Sequence, residues 1–201
     1  MIAAIADASA PPVSGFVESA FSPLVYDAVR QCLAEAPGDG ARTALVLAST
    51  MGDAGTLDLG SQRLVAGQVS NPLLFMQSTP NAILGRLSVD FAVSGPLIAL
   101  SPVGDLAADL LATADALLAD GEVDRVVLVG VELAGNERTA AAHRELGTRP
   151  PAADHAVAIL LDRGDPVPAP PDLSAPSVLS TSHGGLRGLV ELAARIRGAK
   201  S

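Results

Sequence analysis

The stretch GPLIALSPVGDLAADLLATADALLADGEVDRVVLVGVE, Gly95 to Glu132, decides the fold. PLIALS, 96–101, is a short apolar run of strand length, and its reading is a buried strand. From 103 to 120, Val103, Leu106, Ala107, Leu110, Leu111, Ala114, Leu117 and Leu118 recur at helical spacing. Asp105 and Asp109 favour the N-terminal end of that helix, where they meet its positive pole. DRVVLVGVE, 124–132, is a second apolar run and a further buried strand. Strand, sharp turn, helix and strand in 38 residues make a parallel crossover unit. The turn itself is Ser101-Pro102-Val103-Gly104-Asp105.

The same alternation continues on both sides. SPLVYDAVRQCLAEA, 22–36, reads as a helix with Ser22 as its cap, Pro23 at its first position and Cys32 on the apolar stripe. TALVLAST, 43–50, and HAVAILLDRG, 155–164, read as buried strands. A glycine-containing loop after the first leads to a helix around 59–68. NPLLFMQS is expected to be irregular or extended, and a helix follows from about Thr79. Residues 165–178 are Pro-rich and read as an extended connection. GGLRGLVELAARIRG, within 184–198, reads as a closing amphipathic helix whose cations, Arg187, Arg195 and Arg197 with Lys200 beyond, form a solvated face. The expectation is one α/β domain over 1–201, with a mixed, mostly parallel sheet and helices packed on it.

The 201 residues are 49% apolar with only four Phe, one Tyr and no Trp, so the core must be built from Ala, Leu and Val. A net charge of −9 disfavours nucleic acid and anionic membrane as partners. The lone Cys32 forbids an internal disulfide, and MIAAIADASA lacks the basic start of a signal peptide, so the cytoplasm is the expected compartment. No His/Cys/Asp spacing points to a metal, and GDAGTLDLG, 52–60, lacks the lysine of a nucleotide loop, so no cofactor is expected. His143 and His155 read as surface or boundary residues, and His183 as part of an exposed loop. Ser101 reads as a strand-end hydroxyl, because no nucleophile elbow surrounds it.

Several short motifs in order carry a resemblance. SNPLLFMQSTPNAILGRLS contains Asn81 and Gly85 in an Asn-x-x-x-Gly arrangement; Gly95-Pro96 opens the strand; GEVD spans 121–124; VVLVGVE ends at Glu132; and RPPAADHAVAILLDRGD follows. Together they resemble the N-terminal half of β-ketoacyl synthases, the condensing enzymes of fatty-acid and polyketide synthesis, in the thiolase fold. Counted without a gap, the family's catalytic Cys falls on Gly104, which has no side chain to form a thioester. The family's two catalytic histidines lie in its second half, and none of the three histidines here matches their motifs.

The resemblance therefore implies a short, chain-length-factor-like member without a catalytic residue. It would pair as a heterodimer with an active ketosynthase and meet acyl carrier protein only indirectly. It further implies an interface edge at Leu97, Ile98 and Leu100, and a position near the partner's acyl tunnel for Leu73, Leu74, Phe75 and Asn81. Where chain-length factors often have Gln at the Cys position, this chain has Gly. A half fold would also leave one face of its central helix, 103–120, uncovered. Two other readings stand beside this one: a small acyl-thioester hydrolase or transferase using Ser101 or Asp105, and a purely structural accessory of a synthase complex.

Overall fold

The computed structural model describes residues 1–68, 71–173 and 182–199. In chain order the elements are β1 (Ile2–Asp7), α1 (Phe21–Glu35), β2 (Thr43–Ala48), α2 (Ala54–Val65), α3 (Pro72–Gln77), α4 (Pro80–Asp90), β3 (Leu97–Leu100), α5 (Leu106–Asp120), β4 (Arg125–Glu132), α6 (Glu137–Glu145), β5 (His155–Asp162) and α7 (Arg187–Gly198). The five strands form one sheet in the order β1-β5-β4-β2-β3. β2 is parallel to β3 and to β4, whereas β5 is antiparallel to both β4 and β1. Four strands thus point one way and β5 alone is reversed, so the sheet is mixed.

Both sheet faces are covered, which is why the strands read as unbroken apolar runs. Along β2, Leu45 and Leu47 enter one core while Ala44, Val46 and Ala48 enter the other. β4 alternates likewise, Val127, Val129 and Val131 against Val126 and Leu128. The first core is closed by α1 and α4 through Leu24, Val25, Ala28, Cys32, Ile83, Leu84 and Leu87. The second is closed by α5 and α7 through Leu106, Leu110, Leu111, Leu189, Leu192 and Ala193. Each fully buried Leu or Val contributes about 1.5–3 kcal/mol; Phe21, with Phe16, Tyr26 and Phe91 around it, adds aromatic mass to the first core only.

Several sequence expectations change at this level. The first residues, assigned no element from the sequence, form the edge strand β1, paired Ile2↔Leu160 through Asp7↔His155. α1 is not capped by Ser22; the Ser19 hydroxyl accepts from the Ser22 amide at 3.0 Å, and the Ser22 side chain is buried inside the helix. α2 starts five residues earlier than expected, because the Asp53 carboxylate accepts from the Thr56 amide and opens the helix inside the glycine-containing loop. The stretch expected to be irregular or extended forms α3, since Asn71 caps the Leu73 amide and Pro72 suits the first turn. α5 begins at Leu106, leaving Val103 outside the helix and exposed.

The closing helix has a single 3-10 turn, Gly184–Leu186, before α7. Its Arg187 does not belong to a solvated face. It is buried, with its guanidinium donating to Glu191 and to the Leu173 carbonyl. Lys200 and the 174–178 part of the Pro-rich connection lie outside the described residues. α7 flanks α5 on the same side of the sheet, while Asp109, Ala112, Ala116 and Asp120 of α5 remain exposed, in keeping with the expected uncovered face. α7 packs beside α5 so closely that a Cβ on Gly188 would stand 2.9 Å from the Ala107 Cβ.

Candidate functional site: the β3 edge and the turn into α5

β3 is not a buried strand. It ends the sheet, with β2 on one side and no strand beyond it among the described residues. Its exposure alternates accordingly: Leu97 and Ala99 are exposed, while Ile98 and Leu100 are half-buried against the α5–α7 core. The ladder to β2 runs from Leu45↔Leu97 to Ala48↔Leu100, with the Leu45 amide donating to the Pro96 carbonyl and the Ser49 amide to the Leu100 carbonyl. In a parallel ladder alternate residues of a strand turn their backbone groups to opposite sides, so Ile98 faces β2 with Pro96 and Leu100. The Leu97 and Ala99 N–H groups therefore face outward from the sheet.

Gly95 fixes where this edge begins. A Cβ there would lie 2.3 Å from the Thr43 carbonyl oxygen, so only glycine lets the chain enter β3 so close to β2. After β3 the turn is held by polar contacts that leave little for chemistry. The Ser101 hydroxyl donates to the Thr50 carbonyl at 3.2 Å. The Asp105 carboxylate accepts from the Ala107 and Ala108 amides at 3.0 and 3.3 Å and caps α5. Gly104 is exposed, has no positive φ, and would meet nothing within 4 Å if it carried a Cβ. The position has room for a side chain and does not require glycine.

A buried carboxyl stands behind the turn. Glu132 ends β4, is 1% exposed, and accepts from the Thr50 amide at 2.6 Å. Burial pushes its carboxyl above the ordinary carboxylate range, against the opposing hydrogen bond from Thr50. Glu132, Thr50 and Ser101 thereby tie the carboxyl ends of β4, β2 and β3 together. The sequence marked Glu132 as the end of a motif, but Thr50 carried no signal, since its part is played by backbone atoms.

The other expected residues separate into two places. Asn81 is exposed in the first turn of α4. Leu74 is buried between α2 and α3, whereas Leu73 and Phe75 are 52% and 71% exposed. A cavity of about 120 Å³ lies there, lined by Leu57, Leu64, Leu74 and Phe75. A wider cleft of about 320 Å³ opens at the carboxyl ends of β2 and β3, between Ser49, Thr50, Asp53, Ser78 and Ser101. No His or Cys lines either.

The histidines lie elsewhere. His143 is buried in α6, correcting its reading as a surface residue, with Nδ1 2.8 Å from the Thr148 hydroxyl. His155 is buried at the start of β5, and His183 is half-buried and stacks edge-on upon it with ring centroids 4.8 Å apart, so it is not part of an exposed loop. Cys32 is fully buried in α1, as its apolar stripe predicted. Among the described residues no cluster of three His, Cys, Asp or Glu could hold a metal ion, and no helix is long and apolar enough to cross a membrane.

No protein-family model and no curated protein matches this sequence. Solved structures do match. The fold is shared with part of chains from ketosynthase and chain length factor complexes. A chain from the complex of the ketosynthase ApeO with its chain length factor ApeC, from Xenorhabdus doucetiae, superposes with a TM-score of 0.60 at 23% identity, over 78% of this chain and 62% of that one. A chain of the ishigamide ketosynthase/chain length factor gives 0.59 at 17% identity, over 82% and 49%. The type II polyketide complex AntDE:AntF, an acyl-carrier protein with its ketosynthase bound to the hexaketide, gives 0.57 at 16%, over 73% and 48%. This chain therefore spans 48–62% of the length of these three chains.

Proposed function

We propose that this chain is a non-condensing, chain-length-factor-like subunit that pairs across β3 with an active ketosynthase. The assembly would work in type II polyketide, polyene or fatty-acid-like synthesis in the cytoplasm, with acyl carrier protein engaging the ketosynthase. The observation that carries this reading is the β3 edge, whose Leu97 and Ala99 amides face outward beside exposed apolar side chains. Such an edge is a template for strand addition, with main-chain hydrogen bonds supplying register.

The turn supports the non-condensing half of the proposal. On the family resemblance Gly104 takes the nucleophile's place, and the neighbouring Ser101 and Asp105 are already committed to backbone contacts. The Ser101 hydroxyl donates to the Thr50 carbonyl and to no histidine among the described residues. In the complex, the exposed Leu73 and Phe75 beside the cavity between α2 and α3 would offer an apolar wall to a growing acyl chain. The test is native mass spectrometry of this chain co-expressed with the ketosynthase encoded nearest to it, together with a condensation assay. A defined heterocomplex whose activity needs this chain is expected. A ketosynthase fully active without it, beside a solitary monomer of this chain, overturns the proposal.

A further inference from the structure

The first two helices between β2 and β3 stand apart from both cores. Among the described residues neither core takes a side chain from α2 or α3. The whole of α2 buries only Thr56, and α3 only Leu74 and Gln77. Leu64, Val65, Phe75 and Met76 of the same two helices are exposed.

Polar contacts hold the pair instead, and they fall into two groups. The buried group lies where the helices join the sheet and α4. Asp53, at the N-cap of α2, accepts from the Ser19 hydroxyl at 2.6 Å and from the Thr56 hydroxyl at 2.8 Å. Gln77, the last residue of α3, accepts from the Val17 amide at 3.0 Å. Gly52, one residue before that cap, has φ +59, in the left-handed region that glycine enters without strain. The second group is ionic and partly exposed. Arg63, in the last turn of α2, donates to Glu18 at 2.8 Å, and Asp58 accepts from Asn136 and Arg138 at the start of α6.

Exposed ion pairs add little stability and weaken in salt, whereas a buried apolar face is what fixes a helix to its domain. α2 and α3 therefore open as a unit of their own, at a smaller free energy than either core. The buried contacts act as hinges and the ionic ones as latches. Leu57 gives the motion an effect. It lines both the cavity of about 120 Å³ between α2 and α3 and the cleft of about 320 Å³ at the carboxyl ends of β2 and β3. Moving α2 outward about Gly52 withdraws this shared wall and joins the two spaces.

We infer that α2 and α3 form a lid on the carboxyl ends of β2 and β3, latched shut by Arg63 with Glu18 and by Asp58 with Asn136 and Arg138. The lid belongs to the chain by itself and stands or falls independently of the pairing proposed above. The test is amide hydrogen exchange of the purified full chain at about 0.02 and about 0.5 M salt, comparing peptides of α2 and α3 with those of α1 and α5. Exchange in α2 and α3 is expected to be faster than in α1 and α5, and to quicken about twofold or more at high salt. Arg63→Gln with Arg138→Gln should quicken it about three- to tenfold at low salt and remove most of the salt effect. Arg86→Gln, which breaks the exposed pair with Asp90 on α4, should change it less than about twofold. In a Leu74→Cys variant, maleimide should label the new thiol faster at high salt while Cys32, fully buried in α1, stays unlabelled. Wild-type α2 and α3 protected as strongly as α1 would overturn the inference. So would equal quickening of every element in the double variant, which is loss of the whole fold, or exchange in the lid that neither salt nor the double variant changes.

Discussion

Single atoms at the ends of the strands decide how this chain builds its edge. Gly95 and Gly104 are both glycines in the same crossover, yet their surroundings differ completely. An added methyl at Gly95 runs into the Thr43 carbonyl, whereas at Gly104 it meets open space. Gly95→Ala is therefore expected to cost about 1–3 kcal/mol in denaturant unfolding. Gly104→Ala should stay within about 0.5 kcal/mol of wild type. Equal effects at the two sites would contradict the geometry.

The buried imidazoles give a second residue-level prediction. Burial, and then the neighbouring His183, hold the pKa of His155 below its ordinary value of 6.5; burial does the same for His143. The unfolded chain then takes up these protons before the folded one does. Their stabilising contribution is full above about pH 6.5 and is lost as the pH falls below it. Glu132, shifted upward, works in the opposite sense: its contribution is present below its ordinary 4.5 and lost as the pH rises. Comparing wild type with His155→Phe separates the two. Between pH 7.5 and 5 the variant should lose less melting temperature than wild type; parallel curves would remove His155 from the account.

Among the elements, β3 is the one whose role can be tested without disturbing the fold. Because the Ala99 amide faces away from β2, Ala99→Pro removes a donor only from the outer edge. The expected outcome is an unchanged circular dichroism spectrum and a complex with ketosynthase weakened at least about tenfold, consistent with loss of edge hydrogen bonds. Unchanged affinity would move the interface elsewhere. The same strand shows where sequence reading stopped. Its apolar run was legible, but a run of four apolar residues is the same whether one neighbour or two flank it. Only the strand order, set by long-range pairing, makes β3 an edge.

α3 was missed for a related reason: a six-residue helix has too few turns to display a period, and its cap, Asn71, resembles any loop residue. By contrast β2, β4, β5 and the body of α5 were readable, since their apolar spacing is long and their cores lie on both sides. The buried states of His143 and His155 were not, because burial of a polar ring depends on neighbours far along the chain.

For the whole molecule, the two cores and the helices on both faces of the sheet make a layered α/β domain. Its sheet has two edges among the described residues, β1 on one side and β3 on the other. The proposed pairing places a ketosynthase against the β3 edge. Its most direct measurement is amide hydrogen exchange, resolved at Leu97 and Ala99, with and without the neighbouring ketosynthase. Fast exchange at both amides is expected in the isolated chain and strong protection in the complex, with β1 at the opposite edge unaffected. Formation of the complex with Leu97 and Ala99 still exchanging freely would contradict it.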